Sequence, residues 1–414
     1  MLPLSCGRTI FQNNPFSSSA SLTAKSVRTS VVHQPDSLSA SNKPTENLFR
    51  EAYSRPVDSL FQDLQKNKSF SGTVLIARSG KVIHTGAYGY SDIRNKEALT
   101  TESVFQLASV SKTFTATAIL LLQQDGLLDI DDKVRFYVHD FPYEDITIRH
   151  LLNHRSGLSR YMGEMHVSWD KRKYLNYNDV LQYYVAHKPG LFFAPDTKFE
   201  YCNTNYVFLA ALVEIVSHQT FAAFVESRIF RPAGMEHTWI CDPQERELKP
   251  HMTFGYNYSR RGFQKVEGDY LDGVFGDKGV YSNVMDLYRF DRALASGQLL
   301  DQRWLTESYL PGSPEEKNQN YGLGWRMKPF YPDLVYHFGW WHGYRTCFIR
   351  DLQAETTVIT SATATTARNP STSGTSISLS MDGGKLCGDG LKKIRKRKKK
   401  YHGSCYIWAN FWQK

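Results

Sequence analysis

Strand-patterned segments sit at the two ends of this chain, with a long helix-patterned stretch between them. Gly72–Ala77 and Lys81–Ala87 read as two strands around Ser79-Gly80, a hairpin signal. Strand patterns return at Val335–Phe338, Thr346–Arg350 and Glu355–Thr360. Residues 113 to about 270 read as mostly helical, punctuated by Asp, Pro and Gly. Each strand must pair to satisfy its backbone and must bury its apolar face. This order therefore predicts an α+β fold (an α/β sandwich): one antiparallel sheet assembled from both ends, plus a helical insert. Pro56–Asn67 reads as an amphipathic helix with Val57, Leu60, Phe61 and Leu64 on one face.

The chemistry concentrates where the first strands give way to helix. Ser109-Val110-Ser111-Lys112 sets a hydroxyl and an amine three residues apart, and Thr113–Gln124 continues as a helix that Gly126 would cap. On a helix those two side chains share a face. The free N–H groups of the helix start favour an alkoxide or oxyanion. A serine needs a base to attack a carbonyl, and a lysine serves as one only where its surroundings favour the neutral amine. Alone, S-x-x-K is common in a chain this rich in Ser and Lys.

Two further motifs follow in order: Tyr201-Cys202-Asn203 within FEYCNTNYVFLA, and His337-Phe338-Gly339 within YHFGWWHGYR. With the phrases SGTVLIARSGKVIHTGAYGYSD, ITIRHLLNHRSGL, IFRPAGMEHT, GDKGVYSNVMDL and YGLGW, the chain resembles the serine β-lactamase and penicillin-binding-protein superfamily, in its class C and DD-carboxypeptidase branch. The resemblance runs from about Phe49 to Ser361. It implies a β-lactamase/transpeptidase-like catalytic domain over 48–362. The sheet part would take about 49–108 and 275–361, the helical part about 109–274, with the site in the cleft between them.

Carried onto these positions, the resemblance implies Ser109 as nucleophile, Lys112 as acylation base and Tyr201 as a second proton shuttle. Asn203 would hold the Lys112 amine and the substrate amide. The backbone N–H groups of Ser109 and Trp340 would form the oxyanion hole, and Gly339 would let the substrate backbone approach. No cofactor and no metal are implied. His337 departs from classical β-lactamases, which carry a Lys there; a histidine is only fractionally charged near neutral pH. The H-x-G form resembles D-Ala-D-Ala carboxypeptidases, D-amino-acid peptidases and esterase-like members. Trp340, Trp341 and Tyr344 are expected to border the cleft. The implied function is a serine hydrolase working through an acyl-enzyme on a small-molecule or peptide amide or ester. The alternative is a catalytically poor protein that binds or senses penicillin or cell-wall peptides.

Composition narrows the partners. The net charge is +9, but residues 392–400 (KKIRKRKKK) hold eight Lys or Arg, so the rest is near neutral and nucleic acid is not an expected partner. The cysteines show no C-x-x-C pair, and Cys202 reads as a buried free thiol. His150 and His154 have zinc-helix spacing without the metalloprotease Glu, and Asp129, Asp131 and Asp132 lack the Gly and Glu of a calcium loop; both groups read as structural. Residues 1–47 read as a disordered leader. Leu4-Ser5-Cys6-Gly7 resembles the end of a bacterial lipoprotein signal, which would mean export to the cell envelope and membrane anchoring, against a transit peptide or a plain leader. Residues 363–414, Ser/Thr-rich and then basic, depart from the family and read as a disordered tail from an unrelated extension or a frame slip.

Overall fold

The computed structural model describes residues 43–316, 320–328 and 330–364. The putting together of the two ends is direct: a seven-stranded sheet contains β1 (Ser71–Arg78), β2 (Lys81–Tyr88), β3 (Asn320–Tyr321), β4 (Arg326–Lys328), β5 (Tyr331–Trp341), β6 (Tyr344–Asp351) and β7 (Thr356–Ala364). Its order is β3-β4-β5-β6-β7-β1-β2, antiparallel throughout. The β7–β1 pairing, Val74 opposite Thr360 and Ile76 opposite Val358, joins the two halves of the chain. Ser79 and Gly80 take φ of 46° and 72°, the left-handed turn that closes the β1–β2 hairpin.

Strand alternation divides the sheet's apolar side chains into two cores. Leu75, Val335, Phe348 and Ile359 face the helical part and join the main core. Val74, Ile76, Tyr336, Ile349 and Val358 face outward, where α1 (Lys43–Lys66) covers them with Val57 and Phe61. The helix begins before Pro56 and runs through it, so residues 43–47 of the expected disordered leader are helical. Pro56 is exposed, while Tyr53 and Val57 on either side pack against the sheet and hold the helix across the missing hydrogen bond.

The insert contributes α2 (Ser111–Gln124), α3 (Ile148–Leu152), α4 (Tyr161–Ser168), α5 (Tyr177–His187), α6 (Asn203–Ser217) and α7 (Phe221–Val225); α8 (Val284–Ala295) and α9 (Gln302–Ser308) follow it. α2 is buried on every side from Ser111 to Leu122, and α6 from Thr204 to Val213. An all-round apolar helix is a core helix, and these two pack against each other at the centre of the molecule. The buried threonines of α2 bond backbone carbonyls, Thr113 that of Val110 and Thr117 that of Thr113. Among the described residues no single helix is long and apolar enough to cross a membrane. The lipoprotein-like cysteine and nearly all of the tail lie outside the described residues.

Candidate active site

A sharp turn presents Ser109. The short strand Phe105–Gln106 pairs with Val280–Ser282, and the Leu107 N–H donates to the Val280 carbonyl at 2.9 Å. Ala108 then takes φ of 49°, an unfavourable angle for a side chain other than Gly. Residues Ala108–Val110 form a 3-10 turn that leads into α2, so Ser109 stands just ahead of the helix start. Lys112, one turn on, is fully buried with its Nζ 3.2 Å from Ser109 Oγ. The same amine donates to the Asp277 carbonyl at 2.7 Å. It lies over the rings of Tyr201 and Tyr206, 5.1 and 5.5 Å from their centroids.

Tyr201 arrives from the start of α6. Its hydroxyl is buried, turned toward Ser109 and Lys112, and closes no hydrogen bond of ordinary geometry. Burial pushes its pKa up, but the positive charges of Lys112 and Arg326 outweigh that and leave it below the usual phenol value. The Arg326 guanidinium stacks on the Tyr201 ring, 4.2 Å from the centroid. Arg326 makes no ion pair with a carboxylate among the described residues.

Several expectations change here. Asn203 does not hold the Lys112 amine: its Nδ2 faces Met162 Sδ at 4.0 Å and its Oδ1 has no partner. The amine goes to the Asp277 carbonyl instead. His337 is fully buried: Nδ1 donates to the Phe338 carbonyl at 3.0 Å, which leaves Nε2 to accept from the Tyr321 hydroxyl at 2.9 Å. Burial, then Arg326 and Lys112, push its pKa well below the usual value. A neutral ring replaces the fractional charge expected of this position.

Gly339 answers to packing before substrate. A Cβ there would collide with the Leu107 carbonyl oxygen and crowd Ala108, so the glycine lets β5 lie against the turn that carries Ser109. Trp340 shares its face with Tyr336 and Phe338, away from the helical part, and is 68% exposed. Only its backbone borders the cleft. β4 ends its pairing opposite Tyr336, so from His337 to Trp341 no strand among the described residues pairs with β5 on that side. Trp341 is half-buried and donates through Nε1 to Asp272 at 2.6 Å, whereas Tyr344 is buried beside Leu99 and Phe105, an ordinary core residue.

The other candidates have structural places. Cys202 is buried, its thiol against the Leu158 carbonyl, and burial pushes its pKa up. His150 caps α3 with Thr147. His154 lies past that helix at φ 62°, accepting from the Cys202 N–H at 3.3 Å. Arg326, Asp277 and Lys278 belong to none of the three sequence motifs. All three lie in or directly after the quoted phrases YGLGW and GDKGVYSNVMDL, where a charged residue beside close-packed glycines was the available signal.

Against known proteins, the β-lactamase family profile matches residues 57–374. Penicillin-binding protein 4* of Bacillus subtilis (strain 168) is 36% identical over 322 residues, 73% of this chain and 70% of that one. Among solved structures, the octameric penicillin-binding protein homologue from Pyrococcus abyssi superposes with a TM-score of 0.66 at 22% identity, covering 75% of this chain and 73% of that one. The D-amino acid amidase from Ochrobactrum anthropi SV3, complexed with L-phenylalanine, gives 0.62 at 24%, covering 75% and 91%. The chain belongs to the β-lactamase family and is a serine hydrolase of that family.

Proposed function

We propose that the protein hydrolyses a carboxylate-bearing amide or peptide through an acyl-enzyme on Ser109. Lys112, as the neutral amine, takes the Ser109 proton while Oγ bonds to the substrate carbonyl carbon. The Ser109 and Trp340 N–H groups receive the oxyanion. The carbon–nitrogen bond then breaks, and Tyr201 passes a proton to the departing amine. Water attacks the ester that remains, its proton leaving through the same pair, and Ser109 is regenerated with release of the acid. The free edge of β5 from His337 onward offers backbone groups along which a peptide can lie. Penicillin-binding and D-amino-acid-amide relatives fit such a substrate.

The observation that carries this reading is the 3.2 Å approach of Lys112 Nζ to Ser109 Oγ in a pocket that also holds Tyr201. A pure binder or sensor has no use for that base. The carboxylate follows from Arg326, the permanent charge over Tyr201 that has no carboxylate partner among the described residues, since His337 is neutral. Exposure to a fluorophosphonate and to labelled penicillin, followed by mass spectrometry, tests the assignment. Label is expected on Ser109 in the wild type, and none in Ser109→Ala, together with loss of ester turnover. Undiminished labelling or turnover in Ser109→Ala would remove Ser109 as nucleophile. Labelling without turnover of any amide or ester would favour the sensor.

A further inference from the structure

We infer that Lys278 is the counter-charge that keeps the Asp277 carboxylate from pairing with Lys112, leaving the amine free to act as a base. The inference rests on the role given to Lys112 above. Asp277 shows its two ends to two lysines. Its neutral carbonyl accepts from Lys112 Nζ at 2.7 Å. Its carboxylate faces the other way: Oδ1 lies 3.3 Å from Lys278 Nζ, and Oδ2 accepts from the Tyr161 hydroxyl at 3.1 Å. Lys278 Nζ also donates to that hydroxyl at 2.7 Å, which closes a triangle. Tyr161, Asp277 and Lys278 are all buried.

A buried ion pair is a poor source of stability, because desolvation offsets most of the attraction. In this one the carboxylate belongs to the same residue whose carbonyl holds the base. A carboxylate turned toward Lys112 would stabilise an ammonium, the form that cannot accept the serine proton. Among the described residues Lys112 forms no ion pair. The other groups that face it are Ser109 on the turn, Tyr201 and Tyr206 at α6, His154 beyond α3, His337 on β5 and Lys278 itself, with Arg326 of β4 beyond the Tyr201 ring. Burial holds both histidines neutral, so the permanent charges around the amine are cations.

The backbone of the loop is fixed, so the Asp277 side chain is the part that can turn between the two lysines. Thr115 donates to the Gly276 carbonyl at 2.7 Å, and Ser111 Oγ accepts from the Val280 N–H at 3.1 Å. Gly276 takes φ of 96°, and a Cβ on it would collide with the Tyr206 carbonyl. Three side chains of α2 (Ser111, Lys112 and Thr115) therefore clasp residues 276–280. On its far side Lys278 meets the Trp341 ring at 4.9 Å. Asp272 also attracts Lys278, but its Oδ1 accepts from Trp341 Nε1 at 2.6 Å and lies 3.2 Å from His342 Nε2, and its Oδ2 accepts from the Asp269 N–H at 3.0 Å. Asp269 lies 3.7 Å from the same histidine. Asp277 is thus the carboxylate that Lys278 contacts directly.

The test is the pH dependence of acylation by a neutral chromogenic ester in the wild type, Lys278→Met, Asp277→Asn and the double variant. Lys278→Met should move the acid limb of kcat/KM up by about one pH unit, the size expected when a carboxylate loses its partner beside a titrating group. Asp277→Asn should move it the other way, and the double variant should return it near the wild-type position. A depressed plateau with an unmoved limb in Lys278→Met would overturn the inference, as would a double variant shifted as far as that single one. Should Lys278→Met fail to fold, Asp277→Asn still decides, since an unmoved or raised limb there is the overturning result. Fluorophosphonate labelling of Ser109 reads the nucleophile separately. Normal labelling with unmoved limbs removes only the counter-charge, and absent labelling removes the function proposed above.

Discussion

Two lysines, Lys112 and Lys278, are buried side by side, and their pockets differ in one respect. Around Lys112 stand a hydroxyl, a backbone carbonyl and two tyrosine rings. Around Lys278 stand a carboxylate, a hydroxyl bonded to that carboxylate, and the Trp341 ring. Burial is nearly equal, so burial alone does not make a base. The difference is the carboxylate: Lys278 has one in contact, although burial still holds its pKa below the usual lysine value, and among the described residues Lys112 has none.

The largest expected effect breaks the first pocket. Lys112→Arg keeps the charge and loses the base, so acylation should fall about 10²–10⁴-fold, nearly as far as in Lys112→Ala, when measured by stopped-flow with a chromogenic ester. Acylation near the wild-type rate in Lys112→Arg would reduce the residue to a charge. Gly339→Ala comes next, because its methyl would push β5 off the Leu107–Ala108 turn. Both kcat and the melting temperature should drop; a silent Gly339→Ala would mean that the turn yields without moving Ser109.

Arg326→Gln sharpens the comparison from outside. It should raise KM for a carboxylate substrate by about tenfold relative to a matched neutral one, the usual worth of a hydrogen bond to a charged group. In the wild type, KM for that carboxylate substrate should show no histidine inflection from about pH 6 to 8, because His337 titrates well below its ordinary value. An inflection near 6.5 that Arg326→Gln leaves in place would return the carboxylate to a histidine.

The smallest effect lies behind Lys278. Burial opposes the charge on His342, but Asp269 and Asp272 overcome that and raise its pKa to about 9. A raised pKa contributes stability fully below the unfolded value, about 6.5, and loses it as pH rises toward 9. Melting temperature should therefore decline over that window in the wild type and less in His342→Asn, which tolerates the φ of 42° at this position. Equal declines in the two proteins would mean the ion pair adds nothing.

Much of this was legible in the chain. The β1–β2 hairpin follows from Ser79-Gly80 between two strand-patterned segments, and Ser109 and Lys112 meet because i and i+3 share a helix face. These are local rules, set by the backbone within a few residues. α1 was legible only in part, since Pro56 signals a start that the sheet contacts of Tyr53 and Val57 override. The orientation of Trp340 was available from alternation once β5 was known to pack its odd-numbered residues inward.

What the tertiary structure decided is the environment of each polar group. The sequence by itself determined the element types, the order of the motifs and the pairing of Ser109 with Lys112 on one turn. It could not determine that His337 is neutral, that the Lys112 amine rests on Asp277 and not on Asn203, or that Arg326 stacks on Tyr201. Charge state depends on burial and on neighbours more than a hundred residues away along the chain, and those are distances that only the closed fold sets.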